Sequence, residues 1–155
     1  MVLNPGFEND FEYWGDNNGF SIFSTNPHSG LKCAGIIFES VGYFDLGLNS
    51  DRYLFLQQGE NYRFSIWVRE KDTHDTFDTL RTIFDIGVVI NGAFYWLYGD
   101  SSTHTPSETW KLVERYFTPM ETDTAAYISI QIHGYTTSTE SFVAVDDVSI
   151  KKVVK

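Results

Sequence analysis

Apolar and polar positions alternate along most of this chain, in runs of four to nine residues broken by Gly, Asn, Asp and Ser. A period of two marks strands with one buried face, and such regular punctuation marks an antiparallel sandwich. The pattern predicts strands over Phe20–Ser24, Lys32–Phe38, Arg52–Leu56, Tyr62–Arg69, Thr82–Ile90, Phe94–Tyr98, Trp110–Phe117, Ala126–His133 and Phe142–Lys151. Asn91-Gly92 stands between two of them and reads as a two-residue hairpin turn, because both residue types accept left-handed backbone. Pro119 closes a strand after Thr118. Residues 70–80 are polar and acidic without a helical period, and read as a loop with at most one helical turn. Leu3-Asn4-Pro5-Gly6-Phe7-Glu8 reads as a short edge strand that breaks at Pro-Gly. Nine strands in two antiparallel sheets make an all-β sandwich of the jelly-roll type, one domain over residues 1–155.

The parity of the strands sorts their side chains. In Phe142–Lys151, strict alternation puts Ala144, Asp146, Val148 and Ile150 on one face, so Asp146 is expected to point inward with Val148 and Ile150. A buried carboxylate needs donors or a cation, since its desolvation costs several kcal/mol. Asp146 therefore either caps backbone N–H groups or shares a hard cation such as Ca²⁺ with Glu8.

Tyr62, Phe64, Ile66 and Val68 form an apolar face, leaving Arg63, Ser65, Trp67 and Arg69 on the other. A flat ring between planar donors is the composition of a sugar site: the ring takes the C–H face of a pyranose and the donors take its hydroxyls. The alternative is that Trp67 lies under a loop. Likewise Ile128, Ile130 and Ile132 face inward, and Gln131 and His133 face outward with both donor and acceptor capacity. His133 is equally readable as a solvated surface histidine. Phe84, Ile86, Val88 and Ile90 face inward, which turns Asp85 outward. In Phe94-Tyr95-Trp96-Leu97-Tyr98 either parity leaves an aromatic off the core, and Trp96 with Tyr98 is the preferred outward pair. Tyr135, beside Gly134 at a strand end, is placed on the rim.

Composition narrows the function. Thirteen Phe, nine Tyr and four Trp in 155 residues exceed what a core of this size needs, so some aromatic rings belong on the surface. A net charge of −10 argues against nucleic acid and anionic membrane surfaces, both of which favour basic patches. One cysteine, Cys33, excludes an intrachain disulfide, and its apolar neighbours predict a buried thiol. No run reaches transmembrane length and the start lacks a secretory leader, so the chain is expected to have lost a leader, to belong to a larger protein or to leave the cell by another route.

Four segments in order carry a resemblance: Asn4-Pro5-Gly6-Phe7-Glu8, the His28-Ser29-Gly30 loop, the segment Gln58 to Trp67, and Val145-Asp146-Asp147-Val148-Ser149-Ile150. Together they resemble the carbohydrate-binding modules of the family 4, 9 and 22 group, which are galactose-binding-like jelly rolls. The resemblance spans nearly the whole chain. It implies non-catalytic binding of a polysaccharide on a concave sheet, with Tyr62–Arg69 and Ala126–His133 in that same sheet. Trp67, Arg69, Arg63, Trp96, Tyr98, Gln131, His133, Tyr135 and Asp85 would line the groove. It also implies a structural Ca²⁺ held by Glu8 and Asp146, less so by Asp147, with backbone carbonyls near Ser29 and Lys32. Trp14 and Trp110 fall where such modules have packing tryptophans. The implied setting is extracellular, as an accessory domain of a glycoside hydrolase, or a virion tail that docks on host cell-wall saccharide.

An enzyme is disfavoured. Asp146 and Asp147 are adjacent in a strand and point to opposite faces, so they cannot act as the acid and base of glycoside hydrolysis. The four His lack metal-ligand spacing, and no Ser elbow appears. The competing reading is a structural or protein-interaction jelly roll without a sugar site. Exposure of Trp67 and Trp96 decides between the two.

Overall fold

The computed structural model describes residues 1–37, 42–71, 81–99, 109–136 and 142–154. Within them the alternating pattern forms eleven strands: β1 Trp14–Asn18, β2 Ser21–Phe23, β3 Cys33–Ile37, β4 Gly42–Ser50, β5 Leu54–Leu56, β6 Tyr62–Lys71, β7 Arg81–Ile90, β8 Ala93–Gly99, β9 Lys111–Phe117, β10 Asp123–Thr136 and β11 Phe142–Lys152. All described pairings are antiparallel. A six-stranded sheet runs β1-β4-β10-β7-β8, with β5 paired to the start of β10, and a five-stranded sheet runs β2-β3-β11-β6-β9. Their inner faces meet in one core. Leu48, Ile86, Val88, Ile128, Ile130 and Ile132 come from the first sheet, and Ala34, Phe64, Ile66, Val143, Val145 and Val148 from the second.

Nine strands match the pattern reading to within a few residues; of the loop expected over 70–80, Glu70 and Lys71 instead extend β6, and the rest lies outside the described residues. Two strands were not expected. In β4, Gly42, Asp45, Gly47 and Asn49 look like punctuation, yet Leu48 is fully buried and the strand lies between β1 and β10. β1 hides in another turn-rich stretch, Trp14-Gly15-Asp16-Asn17-Asn18. The start of the chain is not an edge strand. Residues 3–13 form successive turns, with left-handed backbone at Asn4, Phe7, Asp10 and Tyr13. These turns tuck Phe7 fully inside, 5.0 Å from the buried Trp14 ring, whose Nε1–H donates to the Asn4 carbonyl at 3.1 Å.

The expected parity of β11 is also corrected. Val143 and Val145 face the core, and so do Val148 and Ile150. One regular strand cannot do this. A β-bulge between Asp146 and Ser149, with Asp147 at φ +48°, inserts the extra residue and shifts the phase. Ala144 and Asp146 consequently point to the outer face, and Asp146 is fully buried there because the loop carrying His28 and Ser29 covers it.

Candidate functional site

The outer face of the six-stranded sheet carries a polar floor with an aromatic wall. Register aligns Asn18, Gly47, Gln131 and Asp85 across β1, β4, β10 and β7, and aligns Asn49, Ser129, Gly87 and Trp96 across β4, β10, β7 and β8. These positions alternate with the core residues Leu48, Ile130 and Ile86, so they look outward. Gly47 and Gly87 keep the floor low. A Cβ at Gly87 would stand 2.5 Å from Phe94 Cζ and 2.5 Å from the Tyr95 carbonyl oxygen, so the Phe94 ring lies across that glycine. Phe94 meets Trp96 edge to face at 5.3 Å and props it upright, with 63% of Trp96 exposed. An open pocket of about 260 Å³ lies over Asn18, Asp45, Gly47, Asn49 and Gln131.

The floor is rich in acceptors. Asp85 is 8% exposed, and its burial pushes the carboxyl pKa up, with the neighbouring His133 pulling the other way. His133 Nε2 lies 3.0 Å from Asp85 Oδ2, a contact that fixes the ring. Gln131 Nε2 reaches Ser129 Oγ at 3.5 Å. Asn49 Oδ1 is buried without a hydrogen-bond partner among the described residues. Stacking on Trp96 beside such groups suits a ligand with an apolar ring face and many hydroxyls.

The structure separates residues expected to share one groove. β6 belongs to the five-stranded sheet and β10 to the six-stranded one, so Trp67, Arg69 and Arg63 face the opposite side from Gln131, His133, Asp85 and Trp96. Alternation along a strand tells which residues are buried, and both sheets bury against the same core. Trp67 does lie under a loop: the His28 ring stacks on it at 3.7 Å with 17° between planes. His28 is pinned there by its Nδ1–H, which donates to Asp147 Oδ2 at 2.6 Å. Arg63 lies 3.6 Å from Glu114, and Arg69 lies between the Phe142 and Trp110 rings. Trp110 donates its indole N–H to the Asn26 carbonyl, a packing role as expected. Tyr95 packs on the core, which leaves Trp96 outward. Tyr98 pairs with Ile86 across a bulge and Tyr135 pairs with Tyr43, while both tyrosine side chains lie outside those described. The residues missed from the sequence are Asn18, Asp45 and Asn49. The signal for the last two was the alternation of Leu46 and Leu48 with Asp45, Gly47 and Asn49.

Glu8 and Asp146 converge on the loop through residues 28–32 from the two ends of the chain. Glu8 Oε1 accepts N–H bonds from Leu31 and Lys32 at 2.9 and 3.0 Å. Asp146 Oδ2 accepts from His28 and Ser29 at 2.9 and 3.2 Å, and Asp146 Oδ1 accepts from Asp147 N–H at 2.8 Å. This is the capping arrangement weighed for Asp146. Burial still dominates and pushes its pKa to about 6. Lys32 Nζ turns to Asp10 at 2.7 Å, and Ser29 Oγ donates to Asp147 Oδ1 at 2.9 Å. Two carboxylates suit a hard cation by chemistry, and Glu8 Oε2 accepts no hydrogen bond among the described residues, but no group of three or more His, Cys, Asp or Glu that could hold a metal occurs among those residues. The backbone of 28–32, however, turns N–H groups toward both carboxylates. Buried Cys33 lies between these charges, and burial raises its thiol to about 11, which makes it unreactive.

No protein-family model and no curated protein matches this sequence. Solved structures do match its fold. A family 61 carbohydrate-binding module in complex with β-1,4-galactotriose aligns over 98% of this chain and 97% of its own, with a TM-score of 0.67 at 15% identity. A family 16 carbohydrate-binding module aligns over 97% and 99%, with a TM-score of 0.69 at 14% identity. The Clostridium thermocellum xylanase 10B, in its family 22 module plus catalytic domain form with xylohexaose, aligns over 99% of this chain and 28% of its own, with a TM-score of 0.63 at 19% identity. Bacteriophage CBA120 tailspike protein 4 aligns over 98% and 21%, with a TM-score of 0.62 at 10% identity. The fold is therefore the β-sandwich jelly roll of carbohydrate-binding modules.

Proposed function

We propose that this domain binds polysaccharide without catalysis on the outer face of its six-stranded sheet. The observation that carries the reading is Trp96, 63% exposed on a face floored by glycine and lined by polar groups, of which Asn49 Oδ1 has no partner among the described residues. A pyranose stacks on Trp96, and its hydroxyls meet Gln131, Asp85, His133 and Asn49. The titratable groups described on this face include Asp85 and His133, which are engaged with each other. Two of the matched structures are complexes with sugar chains, one with β-1,4-galactotriose and one with xylohexaose, which supports a saccharide as the ligand class. The setting follows the same support: an accessory domain of an extracellular glycoside hydrolase, or a tail domain of a phage. Affinity is modest, because hydroxyls exchange water for protein partners with little net gain.

The test is tryptophan fluorescence with affinity electrophoresis against galactan, xylan, β-glucan and bacterial cell-wall saccharides. One glycan binds saturably, Trp96→Ala abolishes that binding, and Trp67→Ala preserves it. Loss of binding in Trp67→Ala with retention in Trp96→Ala moves the site to the other sheet. Failure of every glycan leaves a structural jelly roll.

Glu8 and Asp146 are further proposed to hold a structural Ca²⁺, supported by two carboxylates that converge on the loop through residues 28–32 from opposite chain ends and by the desolvated Asp146 carboxyl. When bound, the ion supplies charge neutralisation and a cross-link between the ends. Micromolar to millimolar Ca²⁺ then raises the melting temperature, chelation reverses this, and Glu8→Gln removes the response. A melting temperature indifferent to Ca²⁺ leaves the N–H groups of 28–32 as the sole partners.

A further inference from the structure

The outer face of the five-stranded sheet has a hollow that the glycan reading does not use. One rung crosses four strands as Ser21, Gly35, Ala144 and Arg69. Its two central residues are small, and large side chains flank them. A Cβ at Gly35 would meet the Phe23 ring at 3.0 Å and the Val143 carbonyl oxygen at 2.5 Å, so Phe23 leans over the glycine. Phe142 stands beside Ile37 on the next rung. Between these rings lies a cavity of about 190 Å³, lined by Phe23, Cys33, Ile37, Phe142, Ala144 and Arg69. Its walls are apolar apart from Arg69 and the rim residue Thr25.

Arg69 is the anomaly. It is 9% exposed, yet its guanidinium makes no ion pair among the described residues, and its Nε is buried without a hydrogen-bond partner. Among the described residues the guanidinium lies against rings, 4.7 Å from the Phe142 centroid and 5.3 Å from that of Trp110. Cation–π contact returns part of the lost hydration and satisfies none of the five N–H donors. A buried cation is retained when an anion compensates it. Asp146 and Glu8, which share the surroundings of Cys33, are engaged by backbone N–H groups.

We propose that this cavity is a second ligand site, on the sheet opposite Trp96, for a small carboxylate with an apolar body. The ring or chain lies against Phe23, Ile37 and Ala144, and the carboxylate takes the planar fork of Arg69. A single guanidinium in apolar walls balances one negative charge, which selects a monoanion over a phosphate ester. Apolar cavities of about 150 Å³ take up benzene, so a hollow of this size accepts an aromatic ring. The site is independent of the glycan reading.

The probes are benzoate and hexanoate, with benzamide as the neutral counterpart of benzoate. The readouts are the amide resonances of Gly35 and Ala144 and the indole N–H of Trp110. In wild type, benzoate shifts them saturably and benzamide binds at least about tenfold more weakly, since a hydrogen bond to a charged group carries that much. Arg69→Met abolishes benzoate binding. Ala144→Leu, which fills the hollow, does the same with the charge in place, and serves if Arg69→Met fails to fold. The proposal is overturned by no saturable shift with either acid at millimolar concentration, by equal affinity for benzoate and benzamide, or by unchanged benzoate affinity in a folded Arg69→Met or Ala144→Leu.

Discussion

Asp146 concentrates the chemistry of single residues in this fold. Its pKa is raised to about 6 by burial against an ordinary 3.8, so the folded state holds the proton more tightly than the unfolded state. For an acid shifted upward, the favourable contribution is complete below the unfolded value and is lost as pH rises through the folded one. In the presence of a chelator, wild type should therefore lose stability relative to Asp146→Asn between about pH 4 and about pH 7, by on the order of 2–3 kcal/mol. Urea midpoints of the two proteins across that range check this, and a pH-independent difference between them contradicts it. The chain predicted a buried Asp146 but on the core face; it is buried on the outer face instead, because the covering loop comes from more than a hundred residues away.

At the scale of elements, the β7–β8 hairpin was the most legible feature. Asn91 and Gly92 take φ of +49° and +82°, the left-handed pair that a two-residue turn demands. The turn is also tied to β10: Asn91 N–H donates to Asp123 Oδ2 and its side-chain amide to Glu121 Oε2, each at 2.7 Å. Gly92→Ala should cost about 1 kcal/mol through backbone strain alone, a fall in melting temperature of roughly 2–4 °C. Asn91→Ala should cost about 1–2 kcal/mol, because it also removes the bond to Glu121. Thermal melts of the two variants test the order. The bulge in β11 was less legible, although it left a trace. Val143-Val145 and Val148-Ile150 are apolar pairs of opposite phase with two aspartates between them, and only an extra residue lets both pairs enter one core.

The whole molecule presents two unlike faces on either side of one core. Trp96, Gln131 and the Asp85–His133 pair belong to one face, and Arg69, Trp67 and the Phe23–Phe142 hollow to the other. Side chains that far apart share no partner, so Trp96→Ala and Arg69→Met should add in stability to within about 0.5 kcal/mol. Arg69→Met should leave glycan affinity at its wild-type value. Denaturation of the single and double variants, with glycan titration of each, checks both statements. A coupling well above that margin means the core transmits between the faces.

The sequence by itself determined the all-β class, nine strands to within a few residues, the hairpin at Asn91-Gly92 and the buried thiol of Cys33, and it left the parity of Phe94–Tyr98 open. All of these follow from local period and backbone chemistry, which each segment carries on its own. Tertiary structure alone decided which strands share a sheet, which loop lies over which ring, and where the phase of a strand slips. Those outcomes depend on partners distant in the chain. Alternation in β6 and β10 is satisfied equally by either side of a common core, so only the pairing of β6 with β9 and β11, and of β10 with β4 and β7, set Trp67 and Gln131 on opposite faces.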